Sequence, residues 1–432
     1  MIKATKGFLE EDTLQTDRLI YNCFIIFACI LFAVAFLFNT PAEIFYGNIT
    51  ILTSSANLVT DYFEIANIGA ALSNAAIMVV QATAIIKKGK QQITGLMMAS
   101  IFTLAGFSLF GKNLYNSTPI ILGVFAYAKF SKTPFSKLMP VALFGTALGP
   151  LVSEVTFNLY LPVFHGVILG ILVGFLAGFF IPVLAQHFMN FHKGFSLYNI
   201  GFTTGIVATM CTAILRGFGY NVETVYLVSR GNNKPLSLFL FILFGMMLVF
   251  GLAANQWSLK GYGALMKESG HGNNDYIKNY GQGLVFINMA LLGIVFTIYV
   301  LIVGGELNGP TIGGIFTVVG FGASGKHLKN VLPIMLGVFL ISYFSVHDVN
   351  STAAILAALF GTTLAPISGY YGTLAGIIAG GLHMVFAANL SFLNAGMNLY
   401  NNGFSGGFIA AIVLPILEGI YKLKQDKHCS DI

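Results

Sequence analysis

The sequence predicts an all-α integral membrane protein built from two repeats of inverted topology, each with about seven helical segments. Three observations carry that prediction. The chain is 56% hydrophobic and 9% charged, where soluble domains carry about a quarter charged residues. Apolar runs such as 19–38 and 236–254 reach the roughly 20 residues that cross about 30 Å of hydrocarbon. Finally, residues 101–125, IFTLAGFSLFGKNLYNSTPIILGVF, return as 315–339 with 15 of 25 positions identical and no gap, the signature of an internal duplication.

The duplication spreads outward. Leu143-Phe144-Gly145-Thr146 recurs as Leu359-Phe360-Gly361-Thr362, and Leu197-Tyr198-Asn199 with Gly201-Phe202 recurs as Leu399-Tyr400-Asn401 with Gly403-Phe404. The chain therefore divides into an N-terminal repeat, 1–218, and a C-terminal repeat, 219–432, that together form one transmembrane domain.

Taken in order, apolar segments of the first repeat lie near 19–39, 66–86, 93–111, 117–130, 138–152, 163–186 and 197–215. Their counterparts lie near 235–254, 281–303, 309–324, 331–345, 352–367, 371–388 and 398–418. The first run follows Glu10, Glu11, Asp12 and Asp17 and precedes no small-residue cleavage site, so it reads as a retained helix and not a signal peptide. Cys23, Cys29 and Cys211 fall inside apolar runs and Cys429 in the tail, a spacing without metal or disulfide meaning.

Orientation follows from charge. With a cytoplasmic N-terminus, 18 of the 22 Lys and Arg fall on the cytoplasmic side, leaving Lys112, Arg216, Arg230 and Lys234 outside, as the positive-inside rule requires. Both termini are then cytoplasmic, in a plasma (inner) membrane. Paired loops invert the polarity: Lys87-Lys88-Gly89-Lys90 corresponds to Gly304-Gly305-Glu306. The short segment 117–130 spans only about 21 Å. Re-entrant pairs, giving five crossings per half, preserve the same inversion. The positive charge is accounted for by these loops, and no nucleic-acid partner is implied; the partners expected are the lipid bilayer and a small polar solute, and the architecture is compatible with a homo-oligomer.

Inverted repeats in membranes build transporters, with the site where broken helices from both halves meet. The prime candidates are the third and tenth segments, where glycine and proline favour half-helices beginning near Ser100 and Gly314. Ser100, Ile101, Gly313, Gly314 and Ile315 would present free N–H groups to a solute, with Thr103 and Thr317 as hydroxyl partners. A second candidate is the pair Tyr198, Asn199 and Tyr400, Asn401, since an asparagine in hydrocarbon must find a partner. Lys112 and Lys326 read as entrance residues at opposite faces, against the ordinary reading that lysines at helix ends snorkel to the interface. Glu154 is the carboxylate deepest in an apolar region and the one candidate for proton coupling.

Other chemistry finds little footing. Gly106-x4-Gly111-Lys112 fits the front of a phosphate loop, but Asn113 follows where Ser or Thr is needed and no strand precedes it. Neither metal-ligand spacing nor a cofactor motif is present, and His165, His187, His192 and His383 form no ligand set. The expectation is transport of a small polar, neutral or singly anionic solute and not enzymatic activity. The alternatives are an intramembrane enzyme of the lipid or prenyl transferase type, for which Glu154 with His165 is the only hint, and an assembly or sensing protein.

In segment order, with irregular third and tenth segments, the chain resembles the nucleobase, sulfate and bicarbonate transporter families. That resemblance implies a seven-plus-seven inverted-repeat fold. As a whole, the sequence also resembles a group of uncharacterised duplicated bacterial membrane proteins, a domain of unknown function, which implies no activity.

Overall fold

The computed structural model describes residues 2–57, 59–89, 92–272 and 274–430. Lys90 and the side chains of Lys3, Lys6, Lys424 and Lys427 lie outside the described residues. The first half runs α1 (Ile2–Phe38), α2 (Pro41–Thr53), α3 (Tyr62–Ile65), α4 (Ile68–Lys88), α5 (Gly95–Phe107), α6 (Leu114–Phe130), α7 (Phe135–Gly145), α8 (Gly149–Phe157), α9 (Val163–His192) and α10 (Asn199–Gly217). The second runs α11 (Asn233–Ala254), α12 (Tyr262–Leu265), α13 (Tyr276–Ile302), α14 (Gly309–Phe321), α15 (Leu328–Phe344), α16 (Thr352–Gly361), α17 (Ala365–Tyr371), α18 (Thr373–Asn394) and α19 (Asn401–Ser430). Single 3₁₀ turns, Thr146–Leu148 and Thr362–Leu364, join α7 to α8 and α16 to α17.

The protein is an all-α, multi-pass membrane protein. Ten helical segments among the described residues are long and apolar enough to cross a bilayer. The helices α5 and α14, of 13 residues each, reach only about 20 Å at 1.5 Å per residue. The apolar segments of the sequence leave 40–65 as a connection, yet α2 occupies much of it. Thr40 and Glu43 close a capping box around Pro41 at the first helical position, a local signal that was there to be read.

Equivalent positions make equivalent contacts. Asn74 Nδ2 donates to the carbonyls of Ser108 (2.7 Å) and Lys112 (2.8 Å); Asn288 Nδ2 donates to those of Gly322 (2.7 Å) and Lys326 (2.8 Å). Each short helix is thus followed by a turn whose freed carbonyls an amide collects. The turns pivot on Gly111 (φ 104°) and Gly325 (φ 92°), a backbone region that favours glycine.

α5 and α14 pack antiparallel over their whole length. Gly95 lies against the backbone of Ala323 and Gly309 against that of Leu109, with Gly106 facing Gly313 between them. Their N-termini are therefore at opposite ends of the contact. On one face, here the near face, Asp17 Oδ1 accepts from Ile93 N (2.9 Å) and Asp275 Oδ1 from Gly95 N (3.0 Å), Ile277 N and Lys278 N. On the far face Asp61 Oδ1 accepts from Phe63 N (2.9 Å) and Gly309 N (3.2 Å), and Oδ2 from Ser229 N (3.0 Å). Asp275 and Asp61 thus each sit at the positive end of a short helix from the other half.

Two predictions follow from these contacts. A Cβ at Gly106 would fall 2.6 Å from the Gly313 carbonyl oxygen, whereas one at Gly245 meets nothing within 4 Å. Gly106→Ala should lower the thermal unfolding midpoint in detergent, by a destabilisation of roughly 1–3 kcal/mol, and Gly245→Ala should leave it unchanged. The second concerns Asp61, which lies between the spans. Burial pushes its carboxyl up to about 6, against the N–H donors that favour the ionised form. A carboxyl raised on folding contributes stability that is complete below its unfolded value and lost as pH rises through the folded one. The midpoint of the native protein relative to Asp61→Asn should therefore be highest near pH 4 and decline to a plateau above pH 6 (the raised value being about 6); equal pH profiles for the two proteins would contradict it.

Candidate functional site

The site is built where α10 and α19 begin. Both helices start inside the protein at the repeated Tyr-Asn step, and they cross antiparallel at Gly201 and Gly403. A Cβ on Gly201 would come 3.0 Å from Tyr400 Cβ and 3.3 Å from Gly403 Cα. One turn on, Gly205 underlies the Phe404 ring and Gly407 the Phe202 ring. The extended residues that lead in are held by the other half. Leu197 N donates to Thr363 O and Leu399 N to Ala147 O, both at 3.0 Å, and Tyr198 N donates to Thr363 Oγ1 (3.0 Å). The recurring Leu-Phe-Gly-Thr thus has a physical role: the 3₁₀ turns after it release carbonyls that receive a strand-like segment from the opposite repeat.

Two fully buried lysines close the arrangement. Lys112 Nζ donates to Tyr400 Oη, and Lys326 Nζ to Tyr198 Oη and to Thr362 Oγ1 (2.7 Å). The Lys112 amine also lies 4.5 Å from the Tyr400 ring centre and 5.4 Å from that of Phe107; the Lys326 amine lies 4.5 Å from Tyr198 and 5.2 Å from Phe321. Such placements over ring faces are favourable for a cation. Among the described residues the one salt bridge is Lys193 with Glu418 (3.0 Å), so neither buried lysine has a carboxylate partner.

In front of the tyrosines lies a cavity of about 670 Å³. Its walls are aromatic: Phe107 stacks with Phe360 (5.3 Å) and Phe144 with Phe321 (5.6 Å), each pair joining one half to the other. Thr103, Thr317, Tyr198, Asn199 and Tyr400 also line it, and its mouth is formed on the near face by Leu96, Val141, Lys193 and His271. The far-face equivalents are packed away. Leu96 is 38% exposed while Pro310 is buried, and Val141 is half-buried while Ala357 is 3% exposed.

The placement of the sequence candidates is mixed. The helices containing Ser100 and Gly314 begin at Gly95 and Gly309, not near Ser100 and Gly314. Ser100, Ile101, Gly313, Gly314 and Ile315 are buried in these two helices and do not line the cavity. Ser100 Oγ donates within its own helix to Met97 O (2.7 Å), Gly313 serves close backbone approach to Gly106, and Gly314 makes room for the Leu359 side chain. Thr103 and Thr317, by contrast, face the cavity. Asn199 receives His192 Nε2 (3.0 Å) on its oxygen and donates to Ala185 O (2.9 Å). Asn401 accepts from Asn394 Nδ2 (2.8 Å), and its neighbour Asn402 lines the cavity instead. Lys112 and Lys326 are not at the faces as entrance residues would be; both are 0% exposed, because each finds a phenol of the other half. Glu154 lies away from the cavity, accepting from Asn158 Nδ2 (2.6 Å) and Ser55 Oγ (3.4 Å). The four phenylalanines were missed, though their presence in both copies of the repeat marks them.

Comparison with known proteins bears on the duplication. The family described as "Protein of unknown function (DUF1576)" matches residues 40–217 and 254–419. The chain belongs to this family. No curated protein and no solved structure matches it. The two DUF1576 segments leave out α1 and most of α11, the first long helix of each half, and they contain every residue that lines the cavity.

The lysine contacts make a further prediction for this DUF1576 protein. Tyr400→Phe takes away the hydroxyl that receives Lys112, whereas Tyr198→Phe leaves Lys326 with Thr362. Thermal unfolding should show the larger loss for Tyr400→Phe, roughly 1–3 kcal/mol for an orphaned buried donor. Adding Lys112→Met should recover part of it, because the unpaired group itself carries the penalty.

Proposed function

We propose that the protein is a transporter of a small polar solute, neutral or singly anionic, that works by alternating access between two inverted repeats. The observation that carries this reading is the cavity: equivalent residues of both halves line its floor, yet its mouth opens on the near face alone. In an inverted pair, exchanging the conformations of the two halves would close Leu96 and Val141 and open Pro310 and Ala357. On the far face the chain around Thr60 pairs with that around Leu227, which ties the first repeat to the start of the second.

The distribution of lysines supports placing the near face and both termini in the cytoplasm of a bacterial cell, with the cavity open inward. The segment order supports a plan akin to that of the nucleobase and sulfate carriers, with the third and tenth segments shortened. Intramembrane catalysis is the weaker reading. Glu154 is engaged by Asn158 and Ser55, and the ring of His165 lies on the outer surface of the helix bundle.

Cysteine accessibility tests this. In a variant whose own cysteines are replaced, Val141→Cys should react with a membrane-impermeant thiol reagent from the near face. Ala357→Cys should react slowly from the far face, and cross-linking the near-face mouth shut should accelerate it. An Ala357→Cys protein that never reacts, with the near face open or locked, would overturn alternating access.

A further inference from the structure

We infer that the cavity binds a flat aromatic carboxylate of one or two rings, held between the phenylalanine stacks with its carboxylate on the Thr103 and Tyr400 hydroxyls. The inference rests on the transport reading for the purpose of the cavity and goes beyond it in naming the class of ligand.

The first observation is an unpaired hydroxyl. Thr103 is 2% exposed, lines the cavity, and its Oγ1 has no partner. A helical threonine ordinarily satisfies itself on the carbonyl four residues back. Its equivalent, Thr317, does so on Gly313 O (2.8 Å), as Thr297 does on Gly293 O (2.8 Å). A buried hydroxyl left unmade costs free energy until something accepts from it. The acceptor must come from within the cavity.

The second observation fixes the company of that hydroxyl. Phe107 stands one turn after Thr103 on the same face of α5, with its ring 4.5 Å from that of Tyr400. Tyr400 Oη accepts from Lys112 Nζ and donates to no group among the described residues, so its own proton is free for an acceptor. The third is charge. No aspartate or glutamate lines the cavity, while two lysines without carboxylate partners lie behind its tyrosines. An anion is the complementary charge, and hydrogen bonds to an ionised acceptor are the stronger kind. The stacked and edge-on rings supply faces and edges for an aromatic body, and a volume of about 670 Å³ accommodates one or two rings.

The test is calorimetric titration of the purified full-length protein in detergent with benzoate, 2-naphthoate, cyclohexanecarboxylate and benzamide. Benzoate and 2-naphthoate should bind, cyclohexanecarboxylate roughly tenfold more weakly for lack of ring faces, and benzamide at least about tenfold more weakly for lack of charge. Thr103→Val breaks no bond in the protein, so it should keep the unfolding midpoint while weakening benzoate about tenfold. Thr297→Val, whose hydroxyl is satisfied on Gly293 O and lies away from the cavity, should bind benzoate as the native protein does. Absence of binding by both aromatic acids overturns the inference. So does equal binding of benzoate and cyclohexanecarboxylate, or of benzoate and benzamide, or an unchanged affinity in Thr103→Val. Binding in detergent needs no turnover. Benzoate binding with a permanently shielded Ala357→Cys would keep the ligand class and remove the transporter; alternation without benzoate binding would do the reverse.

Discussion

Hydrocarbon offers a backbone no water, so every N–H and C=O released where a helix stops inside the membrane needs a partner from the protein. This chain stops helices there repeatedly, and that requirement shapes everything around the cavity. Asn74 and Asn288 each take two carbonyls at the ends of α5 and α14. Asp61 and Asp275 each take the first N–H of the short helix in the other half. Ala147 and Thr363 receive the extended residues that precede α19 and α10. Without these partners the breaks would cost several kcal/mol per group, and a continuous helix would be the better solution.

The same logic explains why the chemistry is shared between the halves. A lysine in an apolar interior is expensive unless its N–H groups are received. Here the receivers are tyrosines that belong to the other repeat, and the rings of those tyrosines form the cavity wall. Stability and site are therefore one set of contacts. The cavity keeps its shape because the lysines anchor the phenols, and the lysines stay buried because the phenols are held in place by the crossing at Gly201 and Gly403.

Much of the fold was legible in the sequence, and the reasons for the misses are physical. Segment positions were legible because apolar runs and the repeat are both local patterns, and all fourteen expected segments have helices. Where the short helices begin was not legible. Gly313 and Gly314 read as a frayed start, but the α14 N-terminus is capped by Asn308 and by Asp61, 248 residues away from Gly309. A glycine needed for close packing and one needed for an irregular backbone look alike in a sequence. Lys112 and Lys326 misled for a similar reason: Gly-Lys at a helix end reads as a surface step, and only the distant tyrosines make it an interior one. The cavity-lining Thr103, Thr317, Tyr198 and Tyr400 were within reach because recurrence in both copies singles out positions near the axis that relates them. The phenylalanines recur as well, yet they blend into a chain with 40 of them.

The reciprocal lysine and aspartate contacts have a consequence for biogenesis. Lys112 leaves the ribosome 288 residues ahead of Tyr400, an interval of about 15–60 s at 5–20 residues per second. For the first part of that interval, until residue 275 emerges, α5 also lacks Asp275. The first half can be threaded into the bilayer during synthesis, but it cannot be completed there; its break remains wet, or at the lipid headgroups, until the second half arrives. The duplication that produced this chain therefore yielded halves that are no longer self-sufficient. A gene split near residue 218 would have to deliver both products to the same membrane at the same time, because each holds the caps and counter-groups of the other.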